Sequence, residues 1–127
     1  MRKEEDKFSK EIIGAAIEVH RYLGPGLLES AYEECLCREL AICGLTFELQ
    51  EPLEVSYKVL KLDCGYRLDV VVGGLVILEL KAVDQIEPIH EAQLLTYLKL
   101  SDLKLGILIN FNVPLLKDGI KRIVNGL

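Results

Sequence analysis

Between Gly65 and Lys81 the chain reads Gly-Tyr-Arg-Leu-Asp-Val-Val-Val-Gly-Gly-Leu-Val-Ile-Leu-Glu-Leu-Lys, two runs of strand-forming residues joined by a glycine pair. Near the turn both faces are apolar, which predicts a central hairpin covered on both sides, with its charged end marking where the cover opens. Asp69, Glu79 and Lys81 interrupt it. In so apolar a setting each unpaired ion would cost several kcal/mol, on the order of the penalty for a buried charge. A salt bridge at an exposed strand end would compensate them at little gain. A hydrated divalent cation with a phosphate ligand would also do so.

Strand parity makes the second reading testable. Alternation puts Tyr66, Leu68, Val70 and Val72 on one face and Arg67, Asp69 and Val71 on the other. On the next strand Leu75, Ile77, Glu79 and Lys81 oppose Val76, Leu78 and Leu80. Two residues of an antiparallel pair share a face only when facing numbers add to an even value, as Asp69 and Glu79 do. A tight Gly73-Gly74 loop gives an odd sum and separates the carboxylates, so a shared site demands a loop of three or five residues, or a bulge.

Apolar residues at Phe8, Ile12, Ala15, Ala16, Val19 and Leu23 predict a first helix from about Asp6 to Leu23, stopped by Gly24-Pro25-Gly26. His20 and Arg21 suit its C-terminal end, and Arg21 is also a candidate phosphate contact. A second helix is predicted over about Leu28 to Cys43, burying Leu28, Tyr32, Cys35, Leu36 and Leu40 before Gly44. Glu29 in its first turn is explained by the helix dipole, or by a site shared with Tyr32 and Glu33; the two are compatible.

After Gly44 the pattern alternates through Phe47, Leu49, Leu53, Val55, Tyr57 and Val59, predicting an antiparallel meander with a short turn near Lys58 to Lys61. Pro52 argues for an edge strand. A third helix, about Pro88 to Leu100, projects Gln93 and Tyr97 together. Lys104 to Asn110 reads as a buried strand reached by a helical crossover. From Pro114 a final amphipathic helix is expected, with Leu115, Leu116, Ile120, Ile123 and Val124 on its apolar side and Lys117, Lys121 and Arg122 as a basic face.

At 127 residues, half of them hydrophobic, the chain is expected to form a single domain, 1–127, with an ordinary core. Its net charge of −5 argues against sequence-independent binding to duplex DNA through many Lys and Arg contacts, though one basic edge can coexist with that total. Cys35, Cys37, Cys43 and Cys64 lack metal-site spacing and are expected to be reduced, mostly core-filling thiols in the cytoplasm. The charged opening and the absence of a long apolar run predict neither secretion nor membrane insertion.

Three motifs together resemble the RecB-like branch of the PD-(D/E)XK nuclease superfamily: Gly65-Tyr66-Arg67-Leu68-Asp69, Glu79-Leu80-Lys81 and Gln93-Leu94-Leu95-Thr96-Tyr97. Gly26-Leu27-Leu28-Glu29-Ser30-Ala31-Tyr32 is similar to the signature of the GxxExxY proteins, a bacterial and archaeal family assigned to that superfamily. The likeness extends to Ile13 through His20 and to Asn110-Phe111-Asn112-Val113-Pro114.

The resemblance implies an α/β fold with a mixed sheet and a restriction-endonuclease-like core. Its order is α-α-β-β-β-α-β-α, with helices packed on both faces. It also implies an Mg²⁺- or Mn²⁺-dependent nuclease, with Asp69, Glu79, the Leu80 carbonyl and Glu29 as metal ligands. Lys81 would orient or deprotonate water, or offset phosphorane charge, and Gln93 and Tyr97 would buttress the site or hold the backbone. Nucleic acid is the implied partner, DNA before RNA, with Arg21, Lys117, Lys121 and Arg122 as contacts and a homodimer left open. The alternative is a catalytically silent nucleic-acid-binding or DNA-repair accessory module that keeps the fold.

Overall fold

The computed structural model describes residues 3–126; of the unit expected over 1–127, residues 1, 2 and 127 lie outside the described residues. Helix α1 (Lys3–Leu23) buries Ile12, Ala15, Ala16 and Val19, the three-and-four spacing that predicted it. Acidic residues in its first turn and His20 and Arg21 in its last complement the helix dipole. Helix α2 (Glu29–Ile42) buries Tyr32, Leu36, Cys37 and Leu40. Leu28, expected on that buried side, is instead the extended residue before the helix and is 77% exposed. Of the four thiols only Cys37 is buried; Cys35 is half-buried, and Cys43 and Cys64 are exposed, so core filling accounts for half of them.

The main sheet has five strands in the order β1-β4-β5-β6-β7: β1 (Phe47–Pro52), β4 (Arg67–Val72), β5 (Val76–Lys81), β6 (Leu105–Asn110) and β7 (Ile120–Val124). Strands β5 and β6 run parallel, joined by the crossover helix α3 (Pro88–Ser101); the other pairs are antiparallel. Strand β1, ending at Pro52, is the edge strand that the proline required. Strands β2 (Val55–Tyr57) and β3 (Leu60–Leu62) do not continue the meander. They pair only with each other, as a small ribbon with Val59 fully at the surface. Apart from half-buried Val55, the residues of both strands are exposed.

Helices α1 and α2 pack on Val70, Val72, Val76, Leu78, Ile107 and Ile109, while α3 packs on Val71, Ile77 and Leu108 from the opposite face. The fold is therefore mixed α/β with helices on both faces, as expected. Strand β5 is central and β6 is buried along its whole length.

The expected final helix is absent. Leu116–Gly119 is a single 3₁₀ turn, and Ile120–Val124 is strand β7, paired antiparallel with β6. Ile120, Ile123 and Val124 fit a helical stripe, but their β-branched side chains equally suit a strand, and β6 needs a partner on its outer side for its backbone groups. Gly119 packs against the backbone of Asn110, where a β-carbon would overlap the Asn110 carbonyl oxygen. Gly119→Ala is expected to cost about 1–3 kcal/mol by overpacking, read as a lower urea midpoint with unchanged slope.

The β4–β5 loop is three residues, Gly73 to Leu75, because Val72 pairs with Val76, Val71 with Ile77 and Val70 with Leu78. Gly73 and Gly74 both have positive φ, 60° and 68°, and the Leu75 N–H donates to the Val72 carbonyl at 3.0 Å. This register satisfies the parity condition set by Asp69 and Glu79.

Candidate active site

The site is built on a flaw in the sheet. The β1–β4 ladder pairs Leu49 with Val70 and Glu51 with Leu68 but skips Gln50 and Asp69, and Gln50 has a φ of 50°. On its other side the β4–β5 ladder stops at Val70 and Leu78. Asp69 thus lies where both ladders lapse. Its Oδ2 accepts the Leu80 N–H at 3.0 Å, so a carboxylate takes the place of a backbone carbonyl. A strand residue's N–H and C=O point to the same side, so the Leu80 carbonyl faces the same opening.

The break also reverses the expected facing upstream of it. Leu68 packs with Val71 in the α3 layer, and the Tyr66 ring lies 6.3 Å from that of Tyr97, whereas Val70 and Val72 pack toward α1 and α2. Strict alternation would have kept all four on one face. The left-handed Gln50 opposite Asp69 marks the kink at which it fails.

Glu79 follows Leu78 into this region and is 7% exposed. Its Oε1 is buried and has no hydrogen-bond partner among the described residues. Burial, then repulsion from Asp69, raises its carboxyl to about 8, against the opposing pull of Lys81 and a hydrogen bond from the Asp69 backbone. Glu29 is raised as well, by burial first and then by Asp69, with Lys81 pulling the other way. Glu29, Ser30, Glu33, Gln50, Asp69 and Leu80 line one cleft of about 390 Å³.

Glu79 and its neighbours offer the donors that a hard divalent cation prefers: an orphaned carboxylate oxygen, a second carboxylate and the Leu80 carbonyl. Among the described residues no three His, Cys, Asp or Glu side chains form a ready metal-holding group. Glu29 shares the cleft of Asp69 without completing such a set.

Two packing devices hold the parts in place. The Tyr32 hydroxyl accepts the Leu27 N–H at 3.1 Å and donates to the Gly24 carbonyl at 2.6 Å, and its ring stacks on Phe111 with centroids 4.5 Å apart. This ties down the loop from which Glu29 starts α2. The Phe111 N–H donates to the Lys81 carbonyl at 3.0 Å. Buried Asn110 accepts the Val83 N–H at 3.0 Å and donates to the Val83 carbonyl at 2.9 Å, clamping the chain just beyond Lys81.

Tyr97 is 9% exposed, on the α3 side, and its hydroxyl is raised by burial first, then by Glu79, Tyr66 and Asp69. Gln93, one turn earlier, is exposed and lines a groove with Tyr97. Gln50, Asn110 and the tethering role of Tyr32 went unread in the sequence. A polar asparagine closing the apolar run Leu105 to Ile109 was the available signal for one of them.

The basic residues do not form one surface. Arg21 and Lys117 line a common cleft beside the end of α1. Lys121 and Arg122 are successive residues of β7 and therefore point to opposite faces. Lys121 pairs with Glu91 of α3 at 3.7 Å, and Arg122 with Asp6 of α1 at 4.0 Å. Among the described residues no helix is long and apolar enough to cross a membrane.

A family model described as the PD-(D/E)XK nuclease superfamily matches residues 6–123. No curated protein and no solved structure matches the chain.

Proposed function

The chain belongs to the PD-(D/E)XK nuclease superfamily, and from that premise we propose that it is a metal-dependent nuclease hydrolysing phosphodiester bonds of DNA. The observation that carries this reading is Glu79: a buried carboxylate with an orphaned oxygen, beside Asp69, where the β1–β4 and β4–β5 ladders part. Asp69, Glu79 and the Leu80 carbonyl would hold Mg²⁺ or Mn²⁺, with Glu29 near enough electrostatically to share its charge. The bound cation would supply Lewis acidity toward the phosphate and lower the pKa of a bound water.

In this reading the residues of the chain position and neutralise. Lys81 Nζ orients the attacking water and offsets charge gathering on the non-bridging oxygens. The water oxygen forms the new bond to phosphorus and gives up a proton to solvent, the bond from phosphorus to the sugar oxygen breaks, and the leaving alkoxide is protonated from solvent. Tyr97, with Gln93 beside it, buttresses the site from the α3 side. Asn110 and Phe111 fix the backbone at and just beyond Lys81, from which its side chain starts.

A silent binding module using Lys117, Lys121 and Arg122 has less support, because the last two face opposite sides and pair with acidic residues. The deciding measurement incubates labelled single-stranded and duplex DNA, and matching RNA, with the protein in Mg²⁺, Mn²⁺ or EDTA. Metal-dependent DNA cleavage that vanishes in Asp69→Asn is expected. Intact DNA under every metal condition, with the protein folded, would remove the catalytic claim.

A further inference from the structure

Beside the carboxylates, on the α3 side, lies a groove of about 480 Å³ whose walls include Val55, Tyr66, Gln93, Thr96, Tyr97 and Leu100. None of its lining residues is charged. Its two rings stand 6.3 Å apart at 57°, and Tyr66 is 46% exposed, which is much aromatic surface for a position next to an ionic site. Tyr97 on its wall stands near enough to the carboxylates that, after burial, Glu79, Tyr66 and Asp69 raise its hydroxyl.

We propose that this groove takes an unpaired nucleobase of a single-stranded substrate, stacked on Tyr66 with its edge read by Gln93 and Thr96. The idea deepens the proposed function and rests on it for the location of the scissile phosphate. Three features select this occupant. A phosphate backbone would find no cation in the groove. The chain carries net charge −5, and the cations at Lys121 and Arg122 are engaged with Glu91 and Asp6, so counterion release contributes weakly. An uncharged aromatic wall with amide and hydroxyl groups matches the flat face and hydrogen-bonding edge of a base, and a duplex keeps its bases stacked away from such a wall.

The test reads binding by fluorescence anisotropy in EDTA, with a labelled single-stranded oligothymidylate, the same strand with abasic sites, and a duplex. The single strand is expected to bind more tightly than the duplex. Tyr66→Ala should weaken it roughly 5- to 150-fold, the range for loss of one base–aromatic stack, and Tyr66→Phe should not. Abasic sites should weaken binding to the wild type and add nothing in Tyr66→Ala. Thr96→Glu, at an exposed helix position, should weaken binding similarly and guards against a folding defect in the first variant.

Equal binding by wild type and Tyr66→Ala would overturn the proposal, as would equal affinity for abasic and intact strands. So would a Tyr66→Ala protein that sediments as a smaller species, since the groove would then be a contact between copies of the chain. Because no metal is present, absence of cleavage activity leaves this result standing, and cleavage without a Tyr66 effect sinks only the groove.

Discussion

Lys81→Met is expected to reduce DNA cleavage by roughly 10²–10⁴-fold, the range for loss of a positioned proton-handling or charge-offsetting group, with little change in DNA affinity. The side chain is half-buried at the end of β5, and its influence reaches both Glu79 and Glu29. Methionine keeps the length and the apolar stem and removes only the ammonium. Its loss should fall on kcat, because the charge it offsets develops in the transition state. Lys81→Arg is not a rescue: a planar guanidinium cannot present a compact charge at the same point. Single-turnover cleavage with saturating protein separates the outcomes, and a variant impaired only in KM would assign Lys81 to ground-state binding.

Glu79→Gln should lose cleavage and gain stability. In the folded protein Glu79 ionises near 8 rather than at its ordinary 4.5, because burial and Asp69 both oppose its charge. Between those values the folded state keeps a proton that the unfolded chain has released, so metal-free stability falls as pH rises through that window. The contribution is fully present below the lower value and is lost above the upper one. Glutamine removes the titration. Thermal melts in EDTA should therefore show the wild type losing on the order of a few kcal/mol between about pH 5 and pH 9, while Glu79→Gln, in which only Glu29 keeps a raised carboxyl, loses clearly less. Added Mg²⁺ should raise the wild-type midpoint most at the alkaline end and leave the variant unmoved. Parallel pH profiles for the two proteins would mean that Glu79 titrates normally.

Much of this site was legible because parity is arithmetic. Asp69 and Glu79 could share a face only across an odd loop or a bulge, and the turn has three residues. Helices α1 and α3 were legible from apolar spacing and from the flanking Gly24 and Pro88. Strand β7 was not. Leu116, Ile120, Ile123 and Val124 satisfy a helical stripe, and the open edge of β6, which no local pattern announces, decides against it. The basic face fell with the helix, since successive strand residues cannot point together. The kink at Gln50 was equally hidden: glutamine carries no preference for a positive φ, and only the opposed Asp69 gives that conformation a purpose.

The parallel pairing of β5 with β6 places the site late in the order of assembly. Its two carboxylates come from a hairpin closed by three residues, so they can meet early through local contacts. Lys81 and the start of α2 are mounted by Asn110 and Phe111, which arrive only after α3 has crossed over and β6 has docked. Such non-local pairing is the slow part of folding. A partly folded chain therefore carries the acidic residues without the Asn110 and Phe111 contacts that fix the backbone at and beyond Lys81.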